Sequence, residues 1–353
     1  MYFSLFAAAP ALRIPAVSST LTATTSGVFA DYPFYHSGDD LHRSVLQLAK
    51  SCKAPISVSH SDCGPDCVID VVDIGDSKNT QKVFYLFGEH ARELISPETA
   101  LVLMEDLCSA SPSSMAKAAL KQSQLRIIPN GNPRSRRLVE QGQFCLRANM
   151  NGVDLNRNWG AYWTANAAMN TEGNQVNPGP HPFSEAETRV FQKAVADFEP
   201  TVFAAIHSGT LGMYMPWAYS KEADVSKIRN GEKMSAVLRE LDTDFCQCPS
   251  GSAAREVGYD SPGTCLDWVH MHTGSMYSYA FEIFTGLSTE DLRRRYREQQ
   301  QTVFRASFIE LEEQFLRDNC FLQFNPETKA DFDKTVANWS KALVELAVLT
   351  ASK

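Results

Sequence analysis

The sequence is short of positive charge. It carries 33 Lys and Arg against 41 Asp and Glu, a formal net charge of -8. A chain of that sign offers no basic field for nucleic acid or for an anionic membrane surface, so neither is expected as a partner. Long hydrophobic runs are also missing: no apolar stretch reaches the roughly 18 residues that a membrane-spanning helix needs. There is no internal repeat and no low-complexity tract. Cys63-Gly-Pro-Asp-Cys67 has no matching second pair, so a zinc finger gives way to a tight, disulfide-closed loop. What remains is 353 residues, 44% hydrophobic and 21% charged. That is ordinary globular composition, enough for one large α/β domain or two small ones.

The first residues read two ways. Met1 to Val17 is apolar and Ala-rich, but it lacks a basic start and is interrupted by Pro10 and Arg13. A signal peptide and a tail are equally compatible with residues 1–33. The nine cysteines are Cys52, Cys63, Cys67, Cys108, Cys145, Cys246, Cys248, Cys265 and Cys320. An odd and high number predicts several disulfides with at least one thiol left over. It also predicts an oxidising location, secreted or lumenal and vacuolar.

The domain is expected to begin near Tyr35. Leu41, Val45 and Leu48 have helical spacing behind Asp39 and Asp40, where a helix dipole favours acids. Ile56–His60, Val68–Ile74 and Lys82–Phe87 read as strands. Ser96, as N-cap, and Pro97 open a helix to Cys108. Leu125–Pro129 reads as a buried strand. Residues Asn130–Pro182 show little periodicity, and a stretch this long without structure is usually functional. Ser184 and Glu187 form a capping box for a helix to Phe198. Val202–Ile206, Met213–Trp217 and Met276–Ile283 read as strands. Ala223–Asp242, Leu266–His272, Asp291–Leu316 and Glu327–Leu349 read as helices, and Ser250–Gly263 as a loop. Strands alternating with helices, some of them apolar on both faces, predict an α/β fold with a mostly buried central sheet covered on both sides.

Three residues stand out by placement. His90, Glu93 and His207 all follow apolar strands, where open α/β sheets bind ligands. Two imidazoles and a carboxylate can hold a zinc ion and leave a position for water. Singly, each also reads as an ordinary loop residue, and His-x-x-Glu is a frequent pattern. Spacing alone leaves both readings open.

Gly88-x-His90-x-Arg92-Glu93, Gly152-Val153-Asp154-Leu155-Asn156-Arg157-Asn158-Trp159, Ile206-His207-Ser208, Tyr259, Asp267-Trp268 and Phe281-Glu282 follow one another in this order. In that order they resemble the zinc metallocarboxypeptidases of the carboxypeptidase A/B type, over residues from about 35 to about 320. The resemblance implies a single catalytic domain, 34–320, built on a mixed sheet of about eight strands. It implies one Zn²⁺ per chain, held by His90, Glu93 and His207, with Asp154 bonded to His90. It makes Glu282 the general base and Arg147 the oxyanion donor. It assigns Asn156 and Arg157 to the substrate's terminal carboxylate, Arg92 to an outer subsite and Tyr259 to a mobile cover. A general base beside acidified water, a preorganised cation at the oxyanion and a guanidinium fork on a carboxylate are each chemically suited to these tasks. Arg147 also reads as a surface arginine, with Arg134, Arg136 and Arg137 as competitors, and Tyr259 as a packed loop residue. Glu282, in an otherwise apolar strand, is the hardest of these to explain as merely structural, because an unpaired buried carboxylate is costly. Asp267 and Trp268 read as structural, and His270 and His272 as packing or exposed-helix residues rather than ligands.

Leu266, seven residues after Tyr259, stands where the resemblance puts the floor of the pocket for the C-terminal side chain. Digestive enzymes that remove Lys or Arg carry aspartate there. Leucine predicts apolar or aromatic C-terminal residues, because a cation facing it would be desolvated without a partner. The expected substrates are peptide or protein C-termini and the expected state is a monomer. The rival activity is a zinc amidohydrolase acting on N-acylated amino acids or modified protein tails. The other rival, a binding module without catalysis, requires a lost ligand or base, and none is lost. Three departures from the family pattern stand out. Eighty-nine residues before His90 leave no expected room for an inhibitory pro-domain. The stretch Ile283–Leu287 is shorter than the digestive enzymes' loop. Residues 321–353 extend beyond the usual end, and Phe332, Val336, Trp339, Leu343 and Leu346 predict a helix docked on the domain. Asn338-Trp339-Ser340 is a formal glycosylation sequon inside that helix.

Overall fold

A computed structural model describes residues 27–165, 175–299, 312, 315–316 and 319–351. Eight strands form one sheet: β1 Ile56–Asp62, β2 Val68–Ile74, β3 Gln81–Phe87, β4 Ser123–Ile128, β5 Val202–His207, β6 Leu211–Met215, β7 Ser250–Ser252 and β8 Tyr277–Ile283. Their order is β1-β2-β4-β3-β5-β8-β6-β7. The centre, β4-β3-β5-β8, is parallel; β1, β2 and β6 join antiparallel, and β7 runs parallel to β6. This is the mixed eight-stranded sheet expected.

The central strands are apolar without alternation because both faces are covered. Val83, Tyr85 and Phe87 point into one core with the helices Ile95–Cys108 and Lys329–Ala351. Phe84 and Leu86 point into the other, with Trp159 and with Phe191 and Val195 of the helix Ala186–Phe198. Val28, before the expected start of the domain, is fully buried in the first core. Residues 1–26, the rest of the tail or signal segment, lie outside the described residues.

The C-terminal helix is part of this core. Phe332, Val336, Trp339, Leu343 and Leu346 are all buried, as their spacing predicts. Tyr85, in the middle of β3, donates its hydroxyl to the Leu343 carbonyl at 2.6 Å. Gln81 donates to the Ala347 carbonyl and to Thr350. The side-chain amide of Asn338 donates to the Phe245 carbonyl, a position poorly suited to carrying a glycan.

Several local readings change. Ser96 does not cap its helix, which starts at Ile95. Its hydroxyl instead donates to the Ile206 carbonyl at 2.6 Å and accepts from the Gly88 N–H. Ser184 does not cap either; the helix starts at Ala186, and Ser184 Oγ accepts from Asn158. A helix, Pro133–Glu140, interrupts the aperiodic stretch, and Ser114–Gln122 forms a helix that the pattern does not reveal. The expected helix 223–242 is a 3-10 turn, Val225–Lys227, followed by Gly231–Leu241. The Ser250–Gly263 loop holds β7 and a short helix, Ala253–Val257. The expected helix Asp291–Leu316 is observed as Thr289–Gln299, and most of its remainder lies outside the described residues. Four disulfides, Cys52–Cys108, Cys63–Cys67, Cys145–Cys320 and Cys246–Cys248, leave Cys265 free and buried. Among the described residues no helix is long and apolar enough to cross a membrane.

Candidate metal centre and substrate cleft

The site lies at the carboxyl ends of β3, β5 and β8. Strand β3 ends at Phe87 and the chain turns at Gly88, whose φ of +67° favours glycine. A Cβ there would stand 2.9 Å from Pro97 Cγ. The turn carries His90 and Glu93. His207 is the last residue of β5 and pairs directly with Glu282 of β8, so sheet register alone sets the acid beside the imidazole.

The side chains converge. His90 Nδ1 lies 2.7 Å from Glu93 Oε1, and His207 Nδ1 lies 3.1 Å from Glu93 Oε2 and 3.1 Å from His90 Nδ1. All three residues are at most 3% exposed. His90 Nε2 faces Asp154 Oδ1 at 3.0 Å. A carboxylate there accepts the Nε2 proton and leaves the Nδ1 lone pair turned toward Glu93 and His207. Two imidazole nitrogens pointed at each other beside a carboxylate form a donor set that suits zinc.

Charge is balanced locally. Burial opposes ionisation of Glu93 and Asp154. The His90 and His207 imidazoles outweigh it for Glu93, and Arg147 and His90 outweigh it for Asp154, so both acids are held low. Arg147 donates its Nε to Asp154 Oδ2 at 2.8 Å and stands 3.6 Å from Glu93. Glu282 differs: burial and then the Glu93 charge raise its pKa. Its Oε2 is buried with no hydrogen-bond partner, the state of a carboxylate that has an unmet need for a proton or a donor.

One cleft is lined by His90, His207 and Glu282, by Arg147, Asn156 and Arg157, and by Tyr259 and Leu266. Asn156 and Arg157 are buried on a short turn, Leu155–Arg157, next to Asp154. Arg157 donates to Ser261 and to the Asn156 carbonyl, and its Nε has no partner. Tyr259 is 56% exposed, in a loop bounded by Gly258 and Gly263. Leu266 is buried among Tyr214, Ala218 and Ala253. Asp267 accepts from the Ala218 and Tyr219 N–H groups, which explains it as a structural acid. Arg92 is not among the residues lining this cleft. Its guanidinium lies 3.9 Å from the Phe324 ring and donates to the Cys145 carbonyl.

Two contributors escape the motif reading. Glu89 occupies a variable position of the Gly-x-His pattern yet is 1% exposed. It accepts from Trp159 Nε1 at 3.0 Å, faces His207 Nε2 at 3.5 Å and accepts from the Cys265 thiol. It therefore stands behind His207 much as Asp154 stands behind His90. Burial raises its pKa, against the pull of His207 and His90. An acid following an apolar strand is the signal that could have singled it out. The second contributor is Phe324, in the turn Phe321–Phe324 after the Cys145–Cys320 disulfide. Nothing local in the sequence points it toward Arg92.

The family described as Zinc carboxypeptidase matches residues 59–309. Zinc carboxypeptidase A 1 of Anopheles gambiae is 24% identical over 270 residues, 72% of this chain and 60% of that protein. Inactive metallocarboxypeptidase ECM14 of Paracoccidioides brasiliensis (strain Pb03) is 26% identical over 256 residues, 62% of this chain and 42% of that protein. The chain thus spans about half the length of these two relatives. Among solved structures, thrombin activatable fibrinolysis inhibitor superposes with a TM-score of 0.70 at 20% identity, covering 90% of this chain and 75% of the other. Carboxypeptidase A from Helicoverpa armigera gives 0.65 at 17%, covering 90% and 74%. These structures share the fold, and the family match covers most of the chain: this protein belongs to the zinc carboxypeptidase family.

Proposed function

We propose that the protein is a zinc-dependent exopeptidase that removes an apolar or aromatic residue from the C-terminus of peptides or proteins. The observation that carries this reading is the convergence of His90, Glu93 and His207 beside Glu282, in the cleft that also holds Arg147, Asn156 and Arg157. His90, Glu93 and His207 would hold the ion, with Asp154 fixing the tautomer of His90. Zinc, when bound, polarises the scissile carbonyl and acidifies water. Glu282, buried and raised in pKa, takes a proton from the attacking water and passes it to the departing amine. Arg147 turns its guanidinium toward the oxygen that gains charge. Asn156 and Arg157 bind the terminal carboxylate, which restricts cleavage to the last bond. Tyr259, exposed on its loop, folds over the bound end and excludes water. Among the residues lining the cleft Glu282 is the one acid beside Ala218, Ala253, Ala254 and Leu266. Asp267, next to Leu266, does not line the cleft and spends its oxygens on the Ala218 and Tyr219 N–H groups, which favours an apolar side chain there.

The test is a peptide series varying in its last residue, read by mass spectrometry with and without a zinc chelator. Chelator-sensitive loss of one apolar residue is expected. Preferential release of Lys would overturn the specificity. Glu282→Gln should lower kcat by about 10²–10⁴ with zinc content unchanged; full activity would overturn the mechanism.

The arrangement of Phe324 against Arg92 favours a second reading, a zinc amidohydrolase acting on N-acylated amino acids or modified tails. A ring over that guanidinium leaves less room on the acyl side of the bond. Faster turnover of N-acyl amino acids than of peptides would select it. Four disulfides support a secreted or lumenal protein under either reading.

A further inference from the structure

A second group of ligand-type side chains lies on the edge hairpin of the sheet. His60 of β1 and Asp70 of β2 are direct cross-strand partners in the antiparallel register, which places their Cβ atoms about 4.5–5.5 Å apart on one face. His42 reaches the same carboxylate from the helix Gly38–Ser51, which packs against β1 and β2. His42 Nδ1 is 2.8 Å from Asp70 Oδ2, and His60 Nδ1 is 2.8 Å from Asp70 Oδ1. One donor atom from each residue falls within 4.8 Å of the others. The two rings are 5.6 Å apart.

Exposure divides the group. Asp70 is 8% exposed, whereas the imidazoles are 43% and 44% exposed. Among the described residues no Lys or Arg pairs with Asp70; its two oxygens each face one imidazole. A buried carboxylate needs a cation or several donors, and two imidazoles supply a full positive charge only when protonated. Three donors, N, N and O, on a helix and two paired strands match what borderline divalent metals take up. The neighbouring surface cavity, about 630 Å³, adds Asp39 and Asp66 alongside Arg137.

We propose that His42, His60 and Asp70 bind a divalent transition-metal ion of the zinc type, at a site separate from the catalytic cleft. Strands β2 and β4 separate β1 from β3, so the two centres share no ligand. On binding, each neutral imidazole moves its proton from Nδ1 to Nε2 and turns its lone pair to the ion, and Asp70 exchanges two N–H donors for one cation. The ion would fasten the edge hairpin to the helix that covers it. Because it binds only the folded arrangement, it would raise the melting temperature as its concentration rises.

The experiment counts zinc per chain in tag-free protein after dialysis against trace zinc. Wild type should hold two ions, His90→Gln one, and the double variant H42Q/H60Q one with peptidase activity intact. Copper loaded into the His90→Gln protein should give a paramagnetic resonance spectrum with two coupled imidazole nitrogens, reduced to one by adding His60→Gln. A single zinc in wild type that is lost with His90→Gln overturns the proposal. So does a second ion that survives in a folded H42Q/H60Q chain. The two readings fail separately: one ion that stays in His90→Gln and is lost in H42Q/H60Q would support this site with the cleft unfilled, and two ions in a protein without peptidase activity would support this site and refute only the proposed activity.

Discussion

Glu89 stands behind His207 without belonging to the motif around it. A ligand histidine works only if its other nitrogen is held in the matching state. Asp154 does this for His90 at 3.0 Å, while His207 Nε2 faces both Glu89 and the Asn156 amide nitrogen at 3.2 Å. The Asn156 oxygen is occupied by the Cys265 N–H, so its amide nitrogen offers a proton where the ring must keep its own. Glu89 Oε2, 3.5 Å from that nitrogen, is the acidic group beside it, and we propose that it becomes the acceptor when His207 holds a metal ion. Glu89→Gln is expected to lower zinc affinity about 10–100-fold, measured by competition with a chelating dye; unchanged affinity would leave Glu89 with packing alone. At this scale strand ends and residue type marked His90, Glu93 and His207 as candidates and left their role open, the family resemblance added Glu282, and the structure brings the four side by side. Glu89 was not legible, since its partners Trp159 and Cys265 are 70 and 176 residues away.

The helix Cys265–His272 forms one wall of the cleft through Leu266 and carries His270 on a buried side. His270 sits edge-on to Trp217 at 5.1 Å, and its Nδ1 has no partner. Burial, and then Arg229, lower its pKa to about 4. The folded form therefore binds fewer protons than the unfolded one between pH 6.5 and 4, and stability drains away as pH falls through that window. His270→Gln should flatten the acid limb of stability by roughly 1–3 kcal/mol, read from denaturant midpoints at pH 7 and pH 4.5; parallel losses in both proteins would refute this. Elements were legible where one face is apolar, as in Gly38–Ser51. They were misjudged where a serine has a better use than capping. Ser96 holds β5 to the Gly88 turn, a long-range bond that the local pattern cannot reveal.

At the scale of the molecule, the C-terminal segment joins the core and also meets Arg92 in the turn that carries His90 and Glu93. Its helix periodicity was legible because five apolar residues repeat at helical spacing. Its lead-in was not, because the approach of Asn325 to the Arg92 carbonyl spans 233 residues. The Cys145–Cys320 disulfide anchors that lead-in two residues from Arg147. Asn325 accepts from the Ile95 N–H, and the Gly286 and Leu287 N–H groups donate to the Gln323 and Leu322 carbonyls. These bonds hold Phe324 over the Arg92 guanidinium and against Gly209, where a Cβ would lie 2.8 Å from the ring. The segment thus lies beside Gly286 and Leu287 and covers the Arg92 guanidinium; if Arg92 serves an outer subsite, as the family resemblance implies, this cover restricts the acyl side. Phe324→Ala keeps the disulfide and every backbone bond just named while uncovering the guanidinium. It should raise kcat/KM for tetrapeptides relative to N-acyl amino acids, several-fold to about tenfold, in line with a cation–π contact of about 0.5–2 kcal/mol. An equal change for both substrate lengths would mean that Phe324 packs the fold without shaping the cleft.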